Sequence, residues 1–379
     1  MRLLVTGGAG FIGSNFIYFM LKKHKNITII NLDKLTYAGN LENLGDVESI
    51  YGFASLITNN QQPRTKNYTP RYIFIKGDIC DKELVDSIFS GNYFRAQEPI
   101  ANSKELQVDI CINFAAESHV DRSIFDSSPF IETNIKGTQV LLEATRRYWL
   151  ISNDQQLTTK HLFLQISTDE VYGSIKKGRF TETSPLLPNS PYAASKAGAD
   201  LLCRSYFKTY ELPVVITRSS NNFGPYQFPE KFIPLAITNL LEGKPIPIYG
   251  DGKNVRDWIY VDNHCSALDL VIQKGKPGEI YNIAQSCEKK NIEVAKLICT
   301  LLNQESITNI QFIKDRLGHD LRYALDTTKI CQELNWKPIH SFEEALKSTI
   351  NWYITKKHWW RKIKTGEYLK YYKRMYSER

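Results

Sequence analysis

Over the first two thirds of the chain, apolar residues come in short solid runs that alternate with stretches of helical spacing. "RLLVT" is continuously apolar, "IGSNFIYFMLKKH" carries apolar residues three and four apart, and "NITIINLD" is a run again. "RYIFIKGD", "VDICINFAA", "KHLFLQIS" and "LPVVITRSSN" continue the series, with the helical "TNIKGTQVLLEATRRYWL" between two of them. Strands without polar alternation must be covered on both faces, and strands separated by helices run parallel. The pattern predicts an α/β fold with a doubly wound parallel sheet over residues 1–222.

Beyond Asn222 the pattern changes. "FGPYQFPEKFIPLAITNLLEGKPIPIYGDG" is rich in Pro and Gly and starts a different unit. "HCSALDLVIQKGKPGEIYNIA" reads as one more helix and strand of the first unit, so residues 264–285 are expected to return to it. Residues 223–263 and 286–379 are expected to form a smaller mixed α/β domain. Two polar segments, 46–70 and 92–107, read as surface insertions.

Composition narrows the class. A chain of 379 residues can bury a large core, and its 42% hydrophobic and 23% charged residues are ordinary for a globular protein. No apolar run reaches the length of a membrane span, and the N-terminus runs straight into a glycine motif, unlike a cleaved signal. Seven cysteines are scattered without a C-x-x-C pair, so reduced thiols in a cytoplasmic protein are expected, with no metal site. The net charge of +8 is concentrated in residues 356–379, which hold nine Lys or Arg and two acids. That segment is also aromatic, and such a tail can bind single-stranded nucleic acid. A C-terminal helix that packs its rings on the body and leaves its lysines in water is the preferred reading, so no nucleic-acid partner is expected.

The candidate chemistry begins at "LLVTGGAGFIGS". Gly7, Gly10 and Gly13, with Phe11 and Ile12 between the last two, lie between a strand and a helix. Glycines there allow a tight turn and a close approach to a pyrophosphate at the helix N-terminus. Asp33 ends the second strand, where a carboxylate accepts from ribose hydroxyls and repels the extra phosphate of NADP. The pair makes the fold Rossmann-type and the cofactor NAD. Asp78 and Ile79, at the end of the next strand, are placed for the adenine, while Asp81 is a helix cap.

Tyr192 and Lys196 share a helix face four residues apart. The ammonium is expected to draw the phenol down from its ordinary pKa of about 10, making Tyr192 a proton acceptor. "QISTDEVYG" then places Thr168, Asp169 and Glu170 where an apolar strand ends. Neighbouring residues on a strand point to opposite faces. If both acids serve one site, the chain must leave the strand at or before Asp169.

The blocks "TGGAGFIGSNF", "NFAAESHVDRSI", "STDEVYG", "SPYAASKAGAD", "FPEKFIPL" and "RDWIYVDNH" make the chain resemble the extended short-chain dehydrogenase/reductase family, and within it the dehydratase branch. The resemblance covers nearly the whole chain. It implies a bound NAD regenerated in each turnover and conversion of dTDP-glucose to the 4-keto-6-deoxy sugar. It also implies that Lys34 and Thr36 join Asp33 at the adenosine ribose. Ala116, Ser118, Thr133 and Asn222 would line the cofactor. Thr168, Asp169, Glu170, Tyr192 and Lys196 would form the active group, with Glu170 the base at C5 and Asp169 the acid at C6. Asp169 must then hold a proton near neutral pH. Ser118, Thr168, Asn221, Lys231, Phe232, Pro247, Tyr249, Arg256, Asn291, Asp315 and His319 would hold the nucleotide sugar. A homodimer is implied, through the helices of "TNIKGTQVLLEATRRYW" and "YAASKAGADLLCRSYFKTY". A UDP-hexose epimerase or UDP-glucuronate decarboxylase would use the same cofactor site and Tyr192–Lys196, but not the adjacent acids. A non-catalytic NAD-sensing scaffold would need none of the four. Leu317, where the family often has proline, puts the edge of the substrate lid in doubt.

Overall fold

A computed structural model describes residues 1–52, 70–95, 107–151, 161–315 and 318–376. The apolar runs form the strands β1 (Arg2–Thr6), β2 (Thr28–Asp33), β3 (Tyr72–Lys76), β4 (Ile110–Asn113), β5 (Leu162–Thr168) and β6 (Val214–Ser219). Short strands follow: β7 (Asn221–Phe223), β8 (Ile246–Tyr249), β9 (Val255–Tyr260), β10 (Ile280–Ile283), β11 (Glu288–Lys290) and β12 (Ile310–Ile313).

Seven strands make one sheet in the order β10-β6-β5-β4-β1-β2-β3, and each neighbouring pair is parallel. This is the Rossmann-type arrangement. The order reverses between β1 and β4, and that switch point opens a crevice beyond the strand C-termini. Burial explains the solid apolar runs: Leu162, Phe163 and Leu164 of β5 are each 0% exposed, with helices over both faces of the sheet. β10 joins the edge beside β6 although it lies more than sixty residues later in the chain. The remaining strands form two small sheets. One is β11-β9-β7, and the other pairs β8 with β12.

One expectation needs adjustment. The segment 46–70 does not begin as a surface insertion: helix Gly45–Tyr51 buries Val47 in the main core. Residues 53–69 and 96–106, the bulk of both segments, lie outside the described residues, as does Leu317. The aromatic tail packs on the body. Trp360 is 0% exposed and donates from its indole N–H to the Tyr353 carbonyl, and Trp359 donates to Asn43 Oδ1 at 2.9 Å. Among the described residues no helix is long and apolar enough to cross a membrane.

Candidate active site

The first turn of the chain is built for a close approach. Gly7 has φ +69°, and a Cβ there would lie 2.7 Å from the Ala115 backbone nitrogen. A Cβ on Gly13 would lie 2.4 Å from the Gly7 carbonyl oxygen. The helix Phe11–Lys23 then starts at Gly10 with no side-chain cap and no acid in its first turn. Its first N–H groups and its dipole therefore face the crevice without a competing carboxylate. A cavity of about 310 Å³ lies there, lined by Gly7, Gly10, Phe11, Ile12 and Gly13.

Asp33 closes the β2 end of this cavity. Its Oδ2 accepts from Ala9 N at 2.9 Å and its Oδ1 from Leu35 N at 2.8 Å, which fixes the carboxylate plane. Leu35 takes the left-handed φ of +57°. Burial raises the Asp33 pKa, and the two amides oppose that shift. Lys34 Nζ pairs with Asp78 Oδ2 at 2.6 Å, so these two expected residues meet side chain to side chain. Thr36, Ile79, Ala116, Ser118, Thr133 and Asn222 also line the cavity. The Asn222 amide is occupied within the protein, donating to the Ser220 carbonyl at 3.0 Å and facing His264 Nδ1 at 2.9 Å. The uncapped helix, the glycine turn and the fixed carboxylate fit an NAD molecule.

At the other end of the cavity the chain leaves β5 after Thr168, and Asp169 opens a turn of 3₁₀ helix over Asp169–Tyr172. Strand alternation therefore ends where the two acids begin. The Thr168 hydroxyl donates to Asp169 Oδ1 at 3.2 Å and accepts from Glu170 N at 3.3 Å. Asp169 is 1% exposed, and its Oδ2 has no hydrogen-bond partner among the described residues. Burial first and Glu170 second push its pKa well above the carboxylate range, against a smaller opposing effect of Arg256. Glu170 lines both this cavity and the next.

Tyr192 and Lys196 lie in the first turns of the helix Pro191–Tyr210, which starts at Ser190, whose Oγ accepts from Ala193 N at 3.1 Å. Both side chains line the cavity. The charge relation expected between them is corrected. Lys196 Nζ donates to the Ile166 carbonyl at 2.6 Å, and burial lowers its pKa. The Tyr192 phenol is pushed up, by burial and then by Glu170. Sharing a helix face brought the two residues together, but desolvation by burial outweighs one ammonium.

A second cavity of about 170 Å³ adjoins the first, with Ser118, Glu170, Asn221, Glu230 and Lys231 lining both. Of the residues expected to hold a substrate, Phe232, Pro247, Tyr249, Arg256, Asn291 and His319 also line it. Arg256 is 5% exposed, with its guanidinium 4.4 Å from the Tyr323 ring centre. Lys231 Nζ donates to the Ser118 carbonyl at 3.0 Å. Asp315 is not in the cavity wall but pairs with His319 Nδ1 at 2.6 Å. The side-chain oxygens of Asn221 and Asn291 are buried and make no hydrogen bond among the described residues. Buried orphan acceptors suit ligand donors such as sugar hydroxyls or a base N–H, while Arg256 and Lys231 bring positive charge to the same cavity.

Sequence reasoning missed His119, Asp121, Glu230, Trp258 and Tyr323, which all line the second cavity. All but Tyr323 lie inside a motif block already singled out, such as "ESHVDR" or "FPEKF". The block was the signal; only the fold, which brings β9, the helix Phe232–Leu241 and the segment around His119 to one cavity, picks out the individual side chains.

The family model described as GDP-mannose 4,6 dehydratase matches residues 4–349. The chain is 45% identical over 374 residues to a dTDP-glucose 4,6-dehydratase of Xanthomonas campestris, covering 96% of each. It is 43% identical to the Salmonella typhimurium dTDP-glucose 4,6-dehydratase over 100% of both chains. Among solved structures, a dTDP-glucose 4,6-dehydratase from Streptomyces venezuelae with NAD bound superimposes with a TM-score of 0.81 at 44% identity, covering 96% of this chain and 100% of that one. A UDP-glucose 4-epimerase from Thermotoga maritima shares the fold at a TM-score of 0.77 but only 26% identity, covering 94% of this chain and 100% of that one.

Proposed function

We propose one reaction for this chain, which belongs to the GDP-mannose 4,6-dehydratase family: it converts dTDP-glucose to dTDP-4-keto-6-deoxyglucose and water, using NAD as a resident cofactor. The observation that carries this reading is the pair Asp169–Glu170 where the two cavities meet, Glu170 lining both and Asp169 buried in the first with its pKa pushed up by burial and by Glu170. Full-length relatives named for dTDP-glucose support that nucleotide over GDP-mannose.

The C5 hydrogen of a hexose is not acidic until C4 is a ketone, so oxidation must precede loss of water. Bound NAD supplies the acceptor for the C4 hydride, the donor that returns it to C6, and, in its oxidised form, a positive charge in the cavity that Tyr192 lines. Tyr192 accepts the proton of the C4 hydroxyl, and Thr168 hydrogen-bonds the C4 oxygen. Glu170 removes the C5 proton, and Asp169 gives its proton to the C6 oxygen, which leaves as water. Glu170 returns its proton to C5. The proton gained by Tyr192 matches the one lost by Asp169, so exchange with water restores the site. Arg256 and Lys231 hold the diphosphate, Arg256 through its planar fork and Lys231 as a point charge. Tyr249 flanks the base, with His319 edge-on to its ring at 6.0 Å.

Incubating the purified protein, without added NAD, with dTDP-glucose and with UDP-glucose in separate reactions tests the reading. A 4-keto-6-deoxy product from dTDP-glucose is expected. A 4-epimer, or no product from either sugar, would sink it.

The active form we infer is a homodimer in the cytoplasm. Ile131 and Leu150, at the two ends of the helical segment 131–151, and Leu201 in helix Pro191–Tyr210 are 50%, 43% and 56% exposed. Exposed apolar side chains on neighbouring helices support a helix-to-helix interface. Leu201→Glu is expected to shift the mass in sedimentation from dimer to monomer; a monomeric wild type would exclude this interface. All seven cysteines are free, which supports a reducing compartment.

A further inference from the structure

The reaction above leaves the basic, aromatic C-terminus without a task, yet the structure ties it to the second cavity. Lys364, 4% exposed in its side chain, pairs with Glu242 at 2.9 Å and donates to Thr238 Oγ1 and Asn239 Oδ1 at 3.2 Å each. Asn239 also donates to the Tyr372 hydroxyl at 2.9 Å, and the Tyr368 hydroxyl donates to the Pro229 carbonyl at 3.1 Å. These contacts clamp the helix Glu367–Tyr376 to the helix Phe232–Leu241, whose Phe232 and Leu235 line the cavity.

Tyr371 reaches furthest in. Its ring lies 4.6 Å from the Arg122 guanidinium, which also lies 4.0 Å from the Tyr37 ring and pairs with Glu230 at 3.2 Å. Its hydroxyl is 3.3 Å from His119 Nε2, and the two rings meet edge to face at 5.4 Å. His119 is 5% exposed and lines the cavity, with Asp121 Oδ2 at 4.0 Å from Nδ1 and Glu230 Oε1 at 3.8 Å from Nε2. Two carboxylates thus compete for this imidazole, one at each ring nitrogen. A third group decides between them. Burial and the nearby Asp121 and Glu230 push the Tyr371 phenol up, so it keeps its proton. A phenol that donates to Nε2 makes that nitrogen the acceptor and leaves the imidazole proton on Nδ1, toward Asp121.

We propose that Tyr371 is a positioning residue which sets the orientation and tautomer of His119 in the substrate wall, making the C-terminal helix part of the nucleotide-sugar site. This rests on the reading that the second cavity holds the nucleotide sugar. Lost positioning weakens ground-state and transition-state binding alike, so it acts on KM.

Steady-state kinetics of the full-length enzyme on dTDP-glucose test this with Tyr371→Phe, His119→Asn and the double variant. Removing one hydrogen bond to a binding group is expected to raise KM roughly five- to tenfold in Tyr371→Phe, with kcat within about twofold of wild type. The double variant is expected to be no worse than His119→Asn alone. Leu369, on the same helix and 48% exposed, supplies the control: Leu369→Ala leaves both constants unchanged. A merely structural role would lower the thermal midpoint and the active fraction, and so kcat, while KM stayed put. That result, an unchanged KM, or fully additive effects in the double variant, each with an active wild type, would overturn the inference alone. A wild type inactive on dTDP-glucose would overturn the substrate reading and the inference with it.

Discussion

Asp169→Asn is expected to lower kcat by roughly two to four orders of magnitude, the usual share of a general acid, while making the protein more heat-stable. The first effect follows because an amide cannot deliver a proton to the departing C6 oxygen. The second follows from the same burial that suits Asp169 to its task. The folded-state pKa of this carboxyl lies above its unfolded value, owing to desolvation and then to Glu170. Stability from such a group is complete below the unfolded pKa and is lost as pH rises through the folded one. At neutral and alkaline pH the carboxyl therefore weakens the fold, and asparagine removes that penalty. Thermal melts of both proteins at acid and alkaline pH should show the gain growing with pH. The wild-type kcat should fall on the alkaline side, as Asp169 loses the proton it must give. A variant that keeps kcat within tenfold of wild type, or melts lower than wild type at every pH, would remove Asp169 from the acid role.

Tyr192→Phe is expected to lower kcat by about a thousandfold with little change in KM, because the lost hydroxyl acts on a proton that moves only in the transition state. The ring stays: it is 92% buried and lies 6.3 Å from Phe130, edge to face, so phenylalanine fits the same packing. NAD content measured on the purified variant should match wild type, since the glycine turn and Asp33 are untouched. Equal losses in NAD content and kcat would make Tyr192 a cofactor-holding residue instead. The phenol is the harder half of the mechanism to read from sequence. In isolation the cleft pushes its pKa up, so the charge that makes it a base must come from elsewhere than Lys196, whose Nζ is engaged with the Ile166 carbonyl. A positive charge carried by the cofactor answers that need, and pH titration of the tyrosine absorbance with and without oxidised NAD would measure it.

Much of the architecture was legible in the chain itself. Solid apolar runs such as "LFLQIS" can only be strands covered on both faces, and their alternation with helical spacing dictates a parallel, doubly wound sheet. The glycine turn and Asp33 were legible because both depend on local backbone: a positive φ at Gly7 and a carboxylate at a strand end. The adjacency of Asp169 and Glu170 was likewise a matter of one peptide bond. What sequence alone left open was set by distance along the chain and by solvent. His119, Glu230 and Tyr371 stand far apart in sequence, and only the folding of the C-terminal helix against Phe232–Leu241 brings them to one wall. The direction of each pKa shift was also a tertiary matter. Spacing told that Lys196 would share a face with Tyr192. It could not tell how completely both would be buried, and at such burial the cost of desolvation outweighs the attraction of a single neighbouring charge.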